Sequence, residues 1–149
     1  KVSLVLFLSP HDDIYILREL ILKEVVNYKN HYKLSKDHFI TRWPDNYDIE
    51  AWHVKILKNG YQKSHIHPAG WLSGCFYIKI PKKLKNDEGG IRFSLIGYDY
   101  KFDKKLPNIT FIPKEYDIAL FPSSLFHETI PFKTDEERHV VAFDIIPRM

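Results

Sequence analysis

The sequence predicts a mainly β fold, an antiparallel sandwich or barrel preceded by one helix. About 95 residues in the C-terminal part of the 149-residue chain divide into eight short strand-like runs separated by Gly, Pro and Asn turns. No helical period interrupts these runs, which excludes parallel strands joined by helices. Aromatic residues make up 15% of the chain and concentrate in the alternating runs, which also favours strands.

Two N-terminal elements are predicted to support the β region. Residues 2–8 form an apolar strand that is too short to span a bilayer. A helix capped by Asp12 or Asp13 follows and runs to about Asn27 or Tyr28, because its apolar residues recur at helical spacing and its charged residues take the opposite face. Its apolar positions are Ile14, Leu17, Leu20, Ile21 and Val25. Residues 29–50 are mixed in character and are predicted to form a loop with a tryptophan anchor.

The predicted strands end at residues that turn or break a strand, such as Asn59-Gly60, Pro68 and Pro81. Turns of this kind follow every few residues, so the strands are short and antiparallel pairing is favoured. The eight strands are residues 52–57, 61–67, 72–80, 91–96, 109–112, 118–121, 127–132 and 139–146.

Length and composition limit the classes of function. With 44% hydrophobic and 28% charged residues, we interpret residues 1–149 as one domain, in which residues 1–50 support a core at residues 51–147. The net charge of +3 is small and the lysines are scattered, so neither nucleic acid nor a membrane is an expected partner. The single cysteine, Cys75, excludes an internal disulfide and a cysteine-based zinc finger. It fits a reducing compartment, and we expect a cytoplasmic protein.

Three histidines carry the strongest chemical signal. His65 and His67 are two residues apart, so both imidazoles lie on the same face of an extended strand. A Pro-Ala-Gly turn follows them directly, and His127 opens a later strand after a Pro-Ser-Ser turn. Such strand ends can meet at one rim of a double-layer fold. Three imidazoles, or two with a carboxylate or water, suit divalent iron and leave open coordination positions; ordinary structural histidines are the alternative.

An arginine and a small polar strand face point to a cavity that takes an anion. Ser73, Cys75 and Tyr77 share one face of a predicted strand, as the lining of a cavity requires. Arg138 opens the last strand at the head of an inward apolar row, and its planar guanidinium suits a carboxylate. The alternative is an ion pair with a carboxylate of the chain itself. The candidates for that pair are Glu136, Glu137 and Asp144.

Four longer blocks of sequence are informative together. They are WHVKILKNGYQ at 52–62, HIHPAGWLSGCFY at 65–77, LFPSSLFHETIPF at 120–132 and RHVVAFDIIP at 138–147. In this order they resemble the 2-oxoglutarate/Fe(II)-dependent oxygenase family whose members often follow tetratricopeptide repeats in bacterial proteins. More distantly, the pattern is similar to prolyl hydroxylases and aspartyl/asparaginyl β-hydroxylases. The agreement of four ordered blocks is more specific than any single motif.

The resemblance implies a double-stranded β-helix (jelly-roll, cupin-like) fold and a reaction that uses Fe(II), 2-oxoglutarate and O2. It implies that His65 and His127 are iron ligands and that Arg138 binds the distal carboxylate of 2-oxoglutarate. Tyr77 falls where prolyl hydroxylases place a tyrosine that helps to hold the same carboxylate. Ser73, on the same strand face as Tyr77, is a further candidate for contact with this co-substrate.

The departure from the wider superfamily is at His67. The usual pattern is His-x-Asp or His-x-Glu, and here a histidine stands where the carboxylate is expected. His67 either completes a three-histidine set or leaves that position to water. We take His65, His67 and His127 as the candidate catalytic and metal-binding residues.

The expected function is hydroxylation of an unidentified small molecule or peptide, with release of succinate and CO2. Trp43, Trp71, Leu125 and Phe126 are candidates for the pocket wall, with a place in the jelly-roll core as the alternative. Two other classes stay open: a three-histidine cupin-type dioxygenase that does not use 2-oxoglutarate, and a non-catalytic jelly-roll module that binds a metal or another ligand. The oligomeric state stays open as well.

Overall fold

Seven strands in two sheets and one long helix form the part of the chain that the structure describes. The structure is a computed structural model, and it describes residues 6–8, 10–98, 100–101, 103 and 105–148. The helices are a 3-10 turn at Leu6–Leu8, α1 at Asp12–His31 and α2 at His38–Thr41. The strands are β1 at Tyr47–Ile56, β2 at Leu72–Lys79, β3 at Ile91–Ser94, β4 at Asn108–Phe111, β5 at Ile118–Pro122, β6 at Phe126–Thr129 and β7 at Arg138–Pro147.

All strand pairs within the two sheets are antiparallel. The larger sheet has the order β1-β7-β2-β5, and the smaller sheet has the order β4-β3-β6. The long strand β7 pairs with β1 on one side and β2 on the other, so it is one of the two inner strands of the larger sheet. The predicted mainly β architecture, with one helix before two layers of sheet, is confirmed.

Helix α1 covers one face of the larger sheet. Ile21 and Val25 are fully buried, and they cluster with Phe143 and other apolar side chains that point outward from that sheet. The other buried members of the cluster are Trp43, Ala51, Leu72, Val141 and Ile145. Removal of this apolar surface from water is what fixes the helix on the sheet. The predicted packing of an amphipathic helix on a sheet is confirmed, although Leu20 is half exposed.

The ends of α1 differ from the prediction. The helix begins one residue after His11, whose carbonyl accepts hydrogen bonds from the N–H groups of Ile14 and Tyr15. Asp12 and Asp13 therefore lie in the first turn and do not cap the helix. In this position their negative charges still interact favourably with the positive end of the helix dipole. The helix continues past Tyr28 to His31.

Three further predictions about elements were wrong. Leu6–Leu8 forms a 3-10 turn rather than the end of a strand, and residues 2–5 of the predicted strand lie outside the described residues. Residues 61–67 form no named strand, because His65 alone bridges to His127. Strand β1 begins at Tyr47, within the segment that was expected to be a loop.

Alternation along β2 and β7 gives the larger sheet two different faces. Phe143 points toward α1, and a Cβ on the neighbouring Gly74 would lie 2.2 Å from its ring. Glycine at this position therefore lets the ring pack flat on the sheet. Arg138, Val140 and Asp144 on the same strand point the other way, into the space between the sheets. Within the described residues, no helix is both long and apolar enough to cross a membrane.

Candidate metal centre and anion pocket

A cavity of about 530 Å³ lies between the two sheets. Its polar lining includes three histidines, an arginine and an aspartate, and its apolar lining comes from both sheets. The residues that line it include Trp52, Val54, Gln62, His65, His67, Cys75, Ile91, Phe121, His127, Arg138, Val140 and Asp144. A space of this size, apolar with a few convergent polar groups, is typical of a small-molecule site.

Backbone hydrogen bonds place His65 against His127. The N–H of each residue donates to the carbonyl of the other at 3.0 Å, which forms an isolated antiparallel bridge. The ring centroids of the two histidines are 4.4 Å apart as a result. The segment before β2 is thus attached to β6 of the smaller sheet, where His127 pairs with Phe93.

His67 is held by the turn that follows it. Its N–H donates to the carbonyl of Ser123 at 3.0 Å, and its own carbonyl accepts from Gly70 at 3.0 Å. A Cβ on Gly70 would lie 2.5 Å from Oγ of Ser123, so glycine allows this close approach. The His67 ring stacks at 5.2 Å from His65 and lies 5.1 Å from His127. The predicted placement of His65 and His67 on one side of the chain is found, although the segment is not a strand.

The three imidazoles present a set of nitrogen atoms suited to a metal ion. One nitrogen from each ring lies within 4.8 Å of the other two. Nδ1 of His65 is 2.6 Å from the carbonyl of Lys63, and Nδ1 of His127 is 3.0 Å from the carbonyl of Leu125. A carbonyl can only accept, so these Nδ1 atoms carry the protons and Nε2 of each ring keeps its lone pair.

The protonation of His127 also suits a metal ligand. Burial lowers the pKa of this histidine to about 4, with further lowering by the nearby His65 and His67. The imidazole is therefore neutral near pH 7, which is the form that binds metals.

Arg138 lies at another part of the same cavity. It is 2% exposed, and its Nε donates to the carbonyl of Gly89 at 3.1 Å. Among the described residues it forms no ion pair, since Glu137 pairs with Lys55 and His139 instead. A buried guanidinium without an anion is costly, so this geometry favours an external anion over the internal ion pair considered from the sequence.

Tyr77 lies beneath Arg138. The guanidinium carbon is 5.1 Å from the centre of the tyrosine ring, and the side chain is fully buried. Its hydroxyl makes no hydrogen bond of ordinary geometry within the described part of the chain, although the guanidinium of Arg138 and the thiol of Cys75 lie beside it. Burial raises the pKa of Tyr77 above its ordinary value, and the side chain is not among those that line the cavity. A buried hydroxyl without a partner is unusual and marks a place where a ligand can bind.

Ser73 is buried behind the histidines. Its hydroxyl donates to Oδ1 of Asp144 at 2.6 Å and lies 2.8 Å from the hydroxyl of Ser123. The side chain is not among those that line the cavity. Direct contact between Ser73 and a co-substrate therefore stays a prediction.

The aromatic residues expected at the pocket wall lie elsewhere. Trp43 is part of the core beneath α1, and Trp71 stacks on Phe39 at 5.5 Å on the same side. Leu125 and Phe126 do not line the cavity. Trp52 and Phe121 form the aromatic wall instead. Neither residue was predicted as part of the site, because alternation along β1 and β5 does not by itself tell which face of the strand meets the cavity.

Asp144 is a residue of the site that the sequence argument also missed. It was considered only as a partner for Arg138, yet its Oδ1 lies 2.7 Å from Nδ1 of His67. The spacing offers a signal, since Arg138 and Asp144 are six residues apart and therefore share one face of a strand.

The comparison with protein families identifies the class. A family model described as "Putative 2OG-Fe(II) oxygenase" matches residues 50–144, which is more than half of the chain. The chain therefore belongs to this family. The family implies iron and 2-oxoglutarate as cofactor and co-substrate. No curated protein matches the chain.

Solved structures agree with the fold. An oxidoreductase of the 2OG-Fe(II) oxygenase family from Burkholderia pseudomallei superposes with a TM-score of 0.53 at 15% identity, over 68% of this chain and 45% of that one. A prolyl-4-hydroxylase from Pseudomonas putida superposes with a TM-score of 0.51 at 14% identity, over 68% of this chain and 53% of that one. Iron-bound HygX from Streptomyces hygroscopicus superposes with a TM-score of 0.52 at 12% identity, over 70% of this chain and 60% of that one. The chain thus spans about half the length of these proteins, and the likeness is one of fold.

Proposed function

We propose that this protein is an Fe(II)- and 2-oxoglutarate-dependent dioxygenase that hydroxylates its substrate and releases succinate and CO2. One observation carries the proposal. A single cavity contains three convergent histidines and a buried arginine that has no anionic partner among the described residues. The first group suits a divalent metal and the second suits a dicarboxylate, and the family requires both.

We assign the metal to His65, His67 and His127. Each ring would bind through Nε2, because its Nδ1 already contacts an oxygen of the chain. Three protein ligands leave coordination positions for the co-substrate and O2, as oxygenase chemistry requires. When bound, iron and 2-oxoglutarate supply the oxidising chemistry, in which O2 is consumed, 2-oxoglutarate loses CO2 to give succinate, and one oxygen atom reaches the substrate.

We assign the distal carboxylate of 2-oxoglutarate to Arg138 and Tyr77. The Gly89 carbonyl holds Nε of Arg138, so the terminal nitrogens of the guanidinium are available for a bidentate contact. The unpartnered hydroxyl of Tyr77 can donate to the same carboxylate. Together they would orient the co-substrate so that its other end reaches the three histidines.

The apolar lining has a separate task. Val54, Ile91, Phe121 and Val140 line the same cavity as Arg138 and the histidines. Exclusion of water from this space strengthens the contact between the guanidinium and a carboxylate.

A groove beside the cavity offers a path for the substrate. It has a volume of about 790 Å³ and shares Val54, Gln62 and His65 with the cavity. Its remaining lining includes Leu57 and Tyr61, which are both more than half exposed. A substrate that lies in this groove would reach the metal centre past His65. The groove suits a small molecule or a peptide.

The test is whether binding of 2-oxoglutarate depends on the metal. We would titrate 2-oxoglutarate by calorimetry into protein loaded with Mn(II), into metal-free protein, and into the His65→Ala and His127→Ala variants. We expect strong binding only to the loaded wild type and to the control variant His38→Ala, whose histidine is exposed far from the cavity. Equal binding to metal-free protein would contradict the proposal. Metal binding without binding of 2-oxoglutarate would favour the three-histidine dioxygenase.

A further inference from the structure

The three histidines of the candidate metal centre differ in the group that contacts Nδ1 of each ring. Nδ1 of His65 and of His127 donates to a neutral backbone carbonyl. Nδ1 of His67 instead lies 2.7 Å from a carboxylate oxygen, Oδ1 of Asp144, with Oγ of Ser73 at 3.2 Å. The histidine that stands in place of the usual acidic ligand is thus the one that contacts an acidic group.

The Asp144 carboxylate is held in place from two sides. It lies on β7, is 8% exposed, and accepts a hydrogen bond from Oγ of Ser73 at 2.6 Å. Ser73 faces Asp144 directly in the register between β2 and β7. Because Ser73 donates to Asp144, the hydroxyl of Ser123 donates to Ser73 at 2.8 Å. The backbone of Ser123 also holds His67, so one network positions both members of the pair.

Among the described residues, no lysine or arginine forms an ion pair with Asp144. In the described part of the chain, its ion-pair partner within range is His67. A carboxylate this deeply buried is stable only where a positive group or strong donors compensate it. A metal ion bound to the other nitrogen of the His67 ring would provide that compensation through the imidazole.

We propose that Asp144 is a positioning residue that acts through His67 to replace the acidic ligand of a His-x-Asp or His-x-Glu site. The inference rests on the proposed function, since it assumes a divalent metal on the three histidines. The carboxylate fixes the proton of His67 on Nδ1, directs Nε2 toward the metal, and makes that nitrogen a stronger donor. In a His-x-Asp or His-x-Glu site the acidic ligand places its negative charge directly on the metal. Here the charge would lie on Asp144, one hydrogen bond beyond the ligand His67.

The first test measures metal affinity without any turnover. We would titrate Co(II) into the full chain and follow its visible absorption, comparing wild type with Asp144→Asn, which keeps the shape of the side chain and removes the charge. We expect the affinity to fall about 10- to 100-fold. The matched control is Asp48→Asn, which makes the same change at an exposed aspartate that pairs with Arg148 and does not line the cavity, and we expect it to keep wild-type affinity.

A double-mutant cycle separates action through His67 from a general structural effect. In the His67→Ala background, Asp144→Asn should cause no further loss of Co(II) affinity, because the residue through which it acts is gone. An equal loss in both backgrounds would overturn the inference, since Asp144 would then bind or attract the metal directly or merely support the fold. No loss in the wild-type background would overturn it as well.

A second variant covers the case in which Asp144→Asn does not fold. Ser73→Ala removes the hydroxyl that orients the carboxylate and that also lies 3.2 Å from Nδ1 of His67. Because both contacts act on the His67 ring, we expect a smaller loss of Co(II) affinity that also disappears in the His67→Ala background. A loss that persists there would overturn the inference. If wild type binds no Co(II), the proposed function fails together with the inference. If wild type binds Co(II) and the cycle shows additive losses, the inference alone fails.

Discussion

The two faces of β7 have different tasks. Val141, Phe143 and Ile145 point toward α1 and are buried in the core with the helix. Arg138 and Asp144 alternate with them and point into the cavity. One face is apolar and close-packed, and the other holds two buried charges with few partners from the chain.

This difference indicates how the strand separates stability from chemistry. A side chain of the helix-facing set contributes by leaving water and filling space, so its loss weakens folding. A charge of the cavity-facing set is costly in the folded protein unless a ligand meets it. Changes on the first face should therefore alter unfolding, and changes on the second should mainly alter binding.

The largest effect on stability is expected from Phe143→Ala. The ring is fully buried against Gly74, so the change leaves a cavity and should cost about 3–5 kcal/mol in the free energy of unfolding. Urea denaturation measures this loss. The control is Leu34→Ala, which removes an apolar side chain that is 88% exposed. It should change the free energy of unfolding by less than about 0.5 kcal/mol. A cost of Phe143→Ala near that of the control would contradict the assignment of this face to the core.

The next effect is on binding, and it comes from Arg138→Met. Loss of the guanidinium should weaken 2-oxoglutarate binding to metal-loaded protein by about 2 kcal/mol or more, or about 30-fold. Calorimetry measures the affinity, and Co(II) binding should stay unchanged. Arg92→Met serves as the control, because Arg92 pairs with Glu128 on the smaller sheet and does not line the cavity. Equal affinities of wild type and Arg138→Met for 2-oxoglutarate would contradict the assignment of its distal carboxylate to Arg138.

A smaller effect on the same binding step is expected from Tyr77→Phe. This change removes only the unpartnered hydroxyl, so folding stability should not fall. The affinity for 2-oxoglutarate should decrease by about 1.5 kcal/mol, or about tenfold, if the hydroxyl donates to a carboxylate. Tyr116→Phe, at a 72% exposed position, is the matched control. An unchanged affinity would show that the hydroxyl does not contact the co-substrate.

The smallest effect concerns the exposed end of β7. Hydrogen bonds from Lys55 and then His139 lower the pKa of Glu137 to about 2. A lowered carboxyl pKa stabilises the folded state above the ordinary pKa, and that contribution disappears as the pH falls through about 2. We expect Glu137→Gln to lower Tm slightly near pH 7, and the difference from wild type to close as the pH falls from about 4.5 toward 2. A difference that grows on acidification would contradict this assignment.

Much of this arrangement was predictable from sequence because it depends on local periodicity. The spacing of Ile21 and Val25 predicts the helix and its buried face, and alternation along the C-terminal segments predicts most strands. The grouping of three histidines was also a prediction from spacing and turns. Their roles as ligands, like those of Arg138 and Tyr77, stay predictions.

What the sequence could not predict depends on contacts between distant segments. Residues 61–67 alternate like a strand, but His65 bridges only to His127 in the smaller sheet, so no regular ladder forms. The sequence allows Trp43 and Trp71 to lie either in a pocket wall or in the core. In the structure both pack with the cluster that contains Ile21 and Val25 of α1. The contact of Asp144 with His67 joins residues 77 positions apart. No local pattern encodes such a pair.

The central claim is that one cavity binds Fe(II) at the histidines and 2-oxoglutarate between the metal and Arg138. The most direct measurement is an anaerobic titration of the iron-loaded protein with 2-oxoglutarate, followed by visible absorption. Direct chelation of iron by the keto acid should produce a charge-transfer band that saturates with 2-oxoglutarate. Iron binding without any such band would contradict the claim.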